Sequence, residues 1–145
     1  MPVTLSDCRP NRFLAALDPV DLARWLPWLD ALEVPAGAVL VEAHARQSHV
    51  FFPITAVIAL ARVMPGGAAV EVAVAGREGF VGLPIVLGGE SAPDRATVRL
   101  PGRLLRLPAR CVEAEMAHVT GVRRQLLRFA SGLLGEAQHT ATCAT

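Results

Sequence analysis

Three cysteines are all that the 145 residues contain, and Cys8, Cys111 and Cys143 are odd in number, far apart and free of any C-x-x-C pair. That pattern points to neither a disulfide framework nor a thiolate zinc site. Long hydrophobic runs are missing as well. The longest uncharged one, Val50–Ala61, contains Pro53 and Thr55 and falls short of the ~20 residues of a spanning helix. The opening MPVTLSDCRPNR lacks the basic-then-apolar order of a signal peptide, so a cytoplasmic, soluble domain without a membrane partner is expected. Charge of one sign is scarce: 14 basic residues, every one arginine, stand against 13 acidic ones, for a net charge of +1. Such a balance supplies no clustered basic face for nucleic acid. No Ser/His/Asp arrangement, P-loop or GxGxxG fingerprint is present, and no catalytic residue is assigned.

What the chain does have is apolar residues, 52% of the total, with a mean hydropathy of +0.41. A length of 145 residues fits one domain, 1–145, with a sizeable core. Residues 10–30 read as helical. Asn11 can cap a first turn, and Asp18-Pro19-Val20-Asp21 offers a capping carboxylate, a proline at the first helical position and an acid in the first turn. Leu22, Trp25, Leu26 and Leu29 follow at helical spacing as core anchors, and Pro27 should kink or end the helix.

From 31 to 108 the texture becomes short β-type runs separated by turn chemistry. The expected strands are Leu32–Val34, Val39–Val41, Val50–Ile54, Ala56–Val63, Ala69–Val74, Phe80–Leu87, Ala96–Leu100 and Arg103–Leu107. Eight such strands predict a mainly β fold, a double-stranded β-helix or jelly-roll-like β-roll, with flanking helices.

Within it, Gly79–Val98 reads GFVGLPIVLGGESAPDRATV: a glycine turn, a short apolar segment, a polar loop, and Arg95 entering a β-branched strand. This segment resembles the phosphate-binding cassette of cyclic-nucleotide-binding domains, specifically those of the Crp-Fnr family of bacterial transcription regulators. The family pattern is Phe-x-Gly-Glu-Leu, a variable loop, then Arg-Ser/Ala-Ala/Thr-x-Val. Phe80, Gly82, Arg95, Ala96, Thr97 and Val98 fit it; Leu83 and Pro84 do not. The resemblance implies that Arg95 pairs with a cyclic phosphate, for which a guanidinium's planar fork is suited, and that Gly82, Leu83, Ala96 and Thr97 complete the ligand site. The ribose-binding glutamate is replaced by Leu83, which has no acceptor. Loss of a charged hydrogen bond of about 1.5–3 kcal/mol corresponds to about 10-fold to 150-fold in affinity. Asp94 and Glu90 stand near Arg95 in sequence and would compete for its charge. Cyclic AMP and cyclic GMP are therefore expected to bind weakly or not at all, unless a substitute such as Glu90 serves the ribose.

Pro108 ends the last strand, and residues 109–143 read as helical. A short piece, Cys111–His118, precedes a longer helix that Thr120 can cap. Val122, Leu126, Phe129, Leu133 and Ala137 form one stripe on it, widened by Leu127, Ala130 and Leu134. The width suggests two contacts, one on the roll and one on a partner helix. The resemblance implies a parallel two-stranded homodimer seam there, and a shift of the long helices that repositions DNA-binding domains; DNA would be reached only through a helix-turn-helix segment that these residues do not include. Arg123 falls inside the apolar arc and should snorkel out or point at the pocket or the partner.

An enzyme reading competes, because jelly rolls include metal-dependent cupins. Those need a His-x-His pair with a further acid and histidine converging inside the barrel. Glu42, His44 and His49 lie within one strand-loop-strand, but His44 and His49 differ in parity and would face opposite ways. No metal ligand is assigned.

Overall fold

The computed structural model describes residues 2–89, 91–118 and 120–144, with side chains in the last helix described as far as Gly132. Three short helices open the chain, α1 (Leu5–Cys8), α2 (Arg12–Ala15) and α3 (Pro19–Trp25), followed by a 3₁₀ turn at Leu26–Trp28. Each helix starts on a side-chain cap. Thr4 and Asp7 form a reciprocal capping box on α1, Asn11 accepts from the Leu14 N–H on α2, and Asp18 accepts from the Val20 N–H on α3. Pro27 sits inside the 3₁₀ turn, where the α-helical ladder has already stopped.

The strands are β1 (Asp30–Val34), β2 (Val39–Val41), β3 (His49–Pro53), β4 (Val57–Val63), β5 (Ala69–Ala75), β6 (Asp94–Leu100) and β7 (Gly102–Pro108). They form two antiparallel sheets, ordered β1-β7-β3 and β2-β6-β4-β5. The expected strand at Phe80–Leu87 is not one. Val81 makes an isolated bridge to Phe51, Gly82 adopts φ 144°, and Leu83–Val86 forms a single helical turn, α4. A proline in the first turn and a glycine in a conformation closed to other residues end extended structure here. Among the described residues there are thus seven strands where eight were expected.

Two apolar clusters lie on opposite faces of the three-stranded sheet. One, between the two sheets, contains Val41, Phe51, Ile58, Val81, Ala96 and Leu104. The larger joins that sheet to the helices and includes Phe13, Trp25, Phe52, Phe80, Leu105 and Leu107. Neighbouring residues Phe51 and Phe52, and Leu104 and Leu105, therefore enter different cores. This explains the consecutive apolar residues Val50–Phe52 in β3 and Leu104-Leu105 in β7: strands buried on both faces lose alternation.

After β7 come α5 (Ala109–Met116) and α6 (Gly121–Ala144). Thr120 accepts from the Arg123 N–H through its hydroxyl, as its capping chemistry predicts. Along the described part of α6, Val122, Leu126 and Ala130 are buried in the domain's own core, and half-buried Phe129 packs against it. No helix among the described residues is long and apolar enough to cross a membrane.

Candidate functional site

Asn11 ties the N-terminal helices to the segment that opens the site. Beyond capping α2, its Nδ2 donates to the carbonyls of Pro53 and Gly79, both at 2.9 Å, and the residue has no exposed surface. Gly79 is held against α6 as well, since a Cβ added there would lie 2.4 Å from the Phe129 ring. Next in the chain, Phe80 stacks on Phe129 with ring centroids 4.3 Å apart, and Phe13 meets both. Gly82 then turns the chain hard against β3, where a Cβ would fall 2.8 Å from a Val50 methyl and 3.2 Å from its Cα.

That turn opens a cavity of about 400 Å³, within the range of small-molecule sites. Leu60, Asp94 and Ala96 come from the sheet, Phe80 to Pro84 and Leu87 from the turn and α4, Ser91 to Pro93 from the following loop, and Gln47 from the β2–β3 loop. Among the described residues its wall contains no arginine, lysine or histidine.

Arg95 is not in the wall because strand parity turns it away. Ala96 and Val98 are buried, and the cross-strand register pairs Leu60 with Ala96 and Arg62 with Asp94. Asp94, Ala96 and Val98 therefore share the inner face, while Arg95 and Thr97 share the outer one. On that outer face Arg95 Nε donates to Glu42 Oε1 at 2.6 Å, and both side chains are well exposed. The Arg95 guanidinium, helped by the Ala43 N–H, holds the Glu42 carboxyl below its ordinary range. Of the two partners expected for Arg95, Asp94 proves wrong. Asp94 pairs instead with Arg62 at 3.1 Å on the inner face, and Glu90 lies outside the described residues. A phosphate inside the cavity would meet the Asp94 carboxylate, already paired to Arg62 on the inner face, and not Arg95.

The remaining site residues divide. Gly82, Leu83 and Ala96 line the cavity; Thr97 does not. Leu83 stands at the start of α4 as an apolar wall. Arg123 lines none of this cavity either, and its Nε is buried without a partner among the described residues. Val122 and Leu126, assigned to a dimer seam, retain no exposed surface, so they belong to the domain's core and not to a partner. Phe129, from the same stripe, is committed to Phe80 and Phe13; the side chains of Leu133 and Ala137 lie outside the described residues. The exposed face of α6 instead carries Arg124, Leu127, Arg128 and Ser131.

His44 and His49 do not converge. His44 follows β2 with φ 63°, and His49 opens β3 with its Nδ1 2.8 Å from the Ser48 hydroxyl. Among the described residues no three His, Cys, Asp or Glu side chains gather as a metal-ligand set. Sequence reasoning missed Gln47, buried in the cavity wall with its Oε1 lacking a partner among the described residues. A polar residue in a loop of polar residues carries no signal of burial.

No curated protein matches this chain. Solved structures do. The sensor domain of the transcriptional regulator DNR from Pseudomonas aeruginosa aligns at 17% identity and TM-score 0.71, over 88% of this chain and 86% of that one. The catabolite activator protein of Thermus thermophilus aligns at 17% identity and TM-score 0.73, over 92% of this chain and 62% of its own length. This chain therefore spans less than two thirds of that regulator. A cyclic nucleotide-binding domain from Methylobacillus flagellatus KT aligns at TM-score 0.80 and 10% identity, over 100% of this chain and 88% of that one. At these identities the likeness is one of fold. The family model for the cyclic nucleotide-binding domain matches residues 31–118, from the start of the roll to the end of α5; this chain belongs to the cyclic nucleotide-binding domain family.

Proposed function

We propose that this chain is the effector-sensing and dimerisation part of a Crp-Fnr-type transcription regulator, and that its pocket no longer recognises a cyclic phosphate. One observation carries the second half: Arg95 lies on the outer face of β6, paired with Glu42, while Leu83 fills the position of the ribose acceptor. Both charged anchors of the nucleotide are missing from the cavity wall. The sensing role rests on the direct contact between cavity and long helix. Phe80 lines the cavity and stacks on Phe129 of α6, so an occupant that moves Phe80 moves the helix. An effector acts this way only if it binds the two helix positions with different affinity. The fold neighbours support a regulatory, non-enzymatic domain.

Calorimetry with cyclic AMP and cyclic GMP tests this reading. Neither is expected to reach a Kd of ~1 μM, equivalent to about −8 kcal/mol; tighter binding overturns it. A rival reading, a nucleotide site with substitute contacts, draws on Arg62, which shares the inner face with Asp94. On that reading Arg62→Ala abolishes nucleotide binding and Arg95→Ala leaves it unchanged.

A further inference from the structure

The inner face of β4 and β6 descends in rows. Arg62 stands opposite Asp94, Leu60 opposite Ala96, and Ile58 opposite Val98, each row about 7 Å from the next. The deepest row is closed, with Ile58 and Val98 fully buried. The middle row, Leu60 and Ala96, forms cavity wall together with Phe80 and Leu83. The outer row is a charged rim. Asp94 borders the cavity with its side chain 22% exposed and within reach of an occupant, and Arg62, 51% exposed, stands beside it just outside the wall. Gln47 offers no such contact, because its Oε1 is shut away from solvent and so from any occupant.

The rim pair is only partly used. Arg62 donates from Nε to Asp94 Oδ1 at 3.1 Å, and among the described residues no other side-chain hydrogen bond or ion pair engages either group. A guanidinium carries several N–H donors and a carboxylate several acceptor positions, so the rim presents spare acceptors and spare donors side by side, with no net charge. A carboxylate head would gain Arg62 but set its charge beside Asp94 in the wall. An ammonium head would gain Asp94 but stand beside Arg62. A neutral head with a donor next to an acceptor meets both.

We propose that the cavity takes a small molecule with an apolar body and a neutral carboxamide head: the body lies on Leu60 and Ala96, and the head reaches the rim, its N–H donated to Asp94 and its carbonyl accepting from Arg62. This deepens the effector-pocket reading above and rests on it. Buried apolar area supplies most of the affinity. The head sets orientation, because an occupant that covers Asp94 without a donor leaves the carboxylate short of the hydrogen bonds water gave it.

A series with one body tests the assignment: 3-phenylpropanamide, its methyl ester counterpart methyl 3-phenylpropanoate, which has no donor, and the anion 3-phenylpropanoate. Backbone N–H chemical shifts at Gly82 and Ala96 locate binding, and their titration gives affinities. The carboxamide is expected to bind saturably in the cavity, at least ~10-fold tighter than the ester and tighter than the anion. Asp94→Leu removes the acceptor at a rim where an exposed ion pair adds little to stability, so the chain should stay folded by circular dichroism and the carboxamide should lose its advantage over the ester. Arg62→Met keeps the apolar stem and should weaken the carboxamide while leaving the chain folded. An advantage that is absent in the wild-type chain, or that survives in both variants, overturns the role of the rim pair. An anion that binds tighter than the carboxamide overturns the neutral head. No cavity binding by the carboxamide at ~1 mM, with cyclic AMP and cyclic GMP also failing to bind, overturns the ligand class while leaving the loss of phosphate recognition standing. Displacement of the carboxamide by micromolar cyclic AMP would instead sink the reading that the pocket has lost cyclic phosphates.

Discussion

Asn11 does three jobs with one carboxamide, and each is lost separately. Its Oδ1 caps α2, and its Nδ2 holds the carbonyls of Pro53 and Gly79 in a site closed to water. Asn11→Ala removes a cap and strands two buried acceptors, so a loss of about 3 kcal/mol is expected, on the order of 10 °C in Tm. Asn11→Asp keeps the cap acceptor but aims a carboxylate oxygen at two carbonyls in a site closed to water, and should lower Tm at least as much as Asn11→Ala; a Tm equal to that of the wild-type chain would refute the bridging role. Gly79 is constrained differently, by space. An added methyl would overlap the Phe129 ring, which Phe13 and Phe80 hold in place, so Gly79→Ala should destabilise by about 1–3 kcal/mol. Paired with Phe129→Ala, the two losses should sum to less than their separate values in a double-mutant cycle.

At the scale of elements, legibility followed the physics of burial. Caps at Asn11, Asp18 and Thr120 were readable because short polar side chains before apolar runs have few other uses. Seven of the eight expected strands matched within a residue or two, and the roll's punctuation located the sheets. The Phe80–Leu87 segment misled because a short apolar run reads alike as strand or helix; Gly82 and Pro84 decided it. Parity misled at the cassette. Fitting Arg95 to a motif says nothing of which face it takes, and a shift of one residue exchanges inside for outside. The buried partners Ala96 and Val98 fix that face only once the register with β4 is known. β5 inverted the usual inference: AVEVAVA is apolar, yet it is an edge strand with Val70, Val72 and Val74 exposed. The stripe on α6 was correctly apolar, but Val122, Leu126 and Ala130 sink into the helix's own domain while Leu127, which widens it, stays exposed.

For the whole molecule, that packing changes where a second copy can dock. Leu126 has no exposed surface and sits among the core residues of the larger cluster, so Leu126→Arg should unfold the domain, where the apolar stripe alone would predict a folded monomer. In the homodimer we propose, the partner-facing side is the one that the roll leaves open, where Leu127 is 40% exposed between Arg124 and Arg128. A homodimer through that face places each α6 between its own cavity and its twin: Phe129 reads Phe80 on one side, and Leu127 meets the partner on the other. Leu127→Arg should then give folded monomers, because a charge without a counter-charge at a buried seam is unfavourable by about 3–5 kcal/mol, more than 100-fold in the dimer constant. Light scattering after size exclusion at ~50 μM, where dimerisation responds to protomer concentration, is the measurement, with circular dichroism to separate monomer from unfolded chain. If Leu127→Arg stays dimeric and Leu126→Arg stays folded, both the seam and the packing of α6 are wrong. If the wild-type chain is itself monomeric at that concentration, α6 transmits the state of the cavity to something other than its twin.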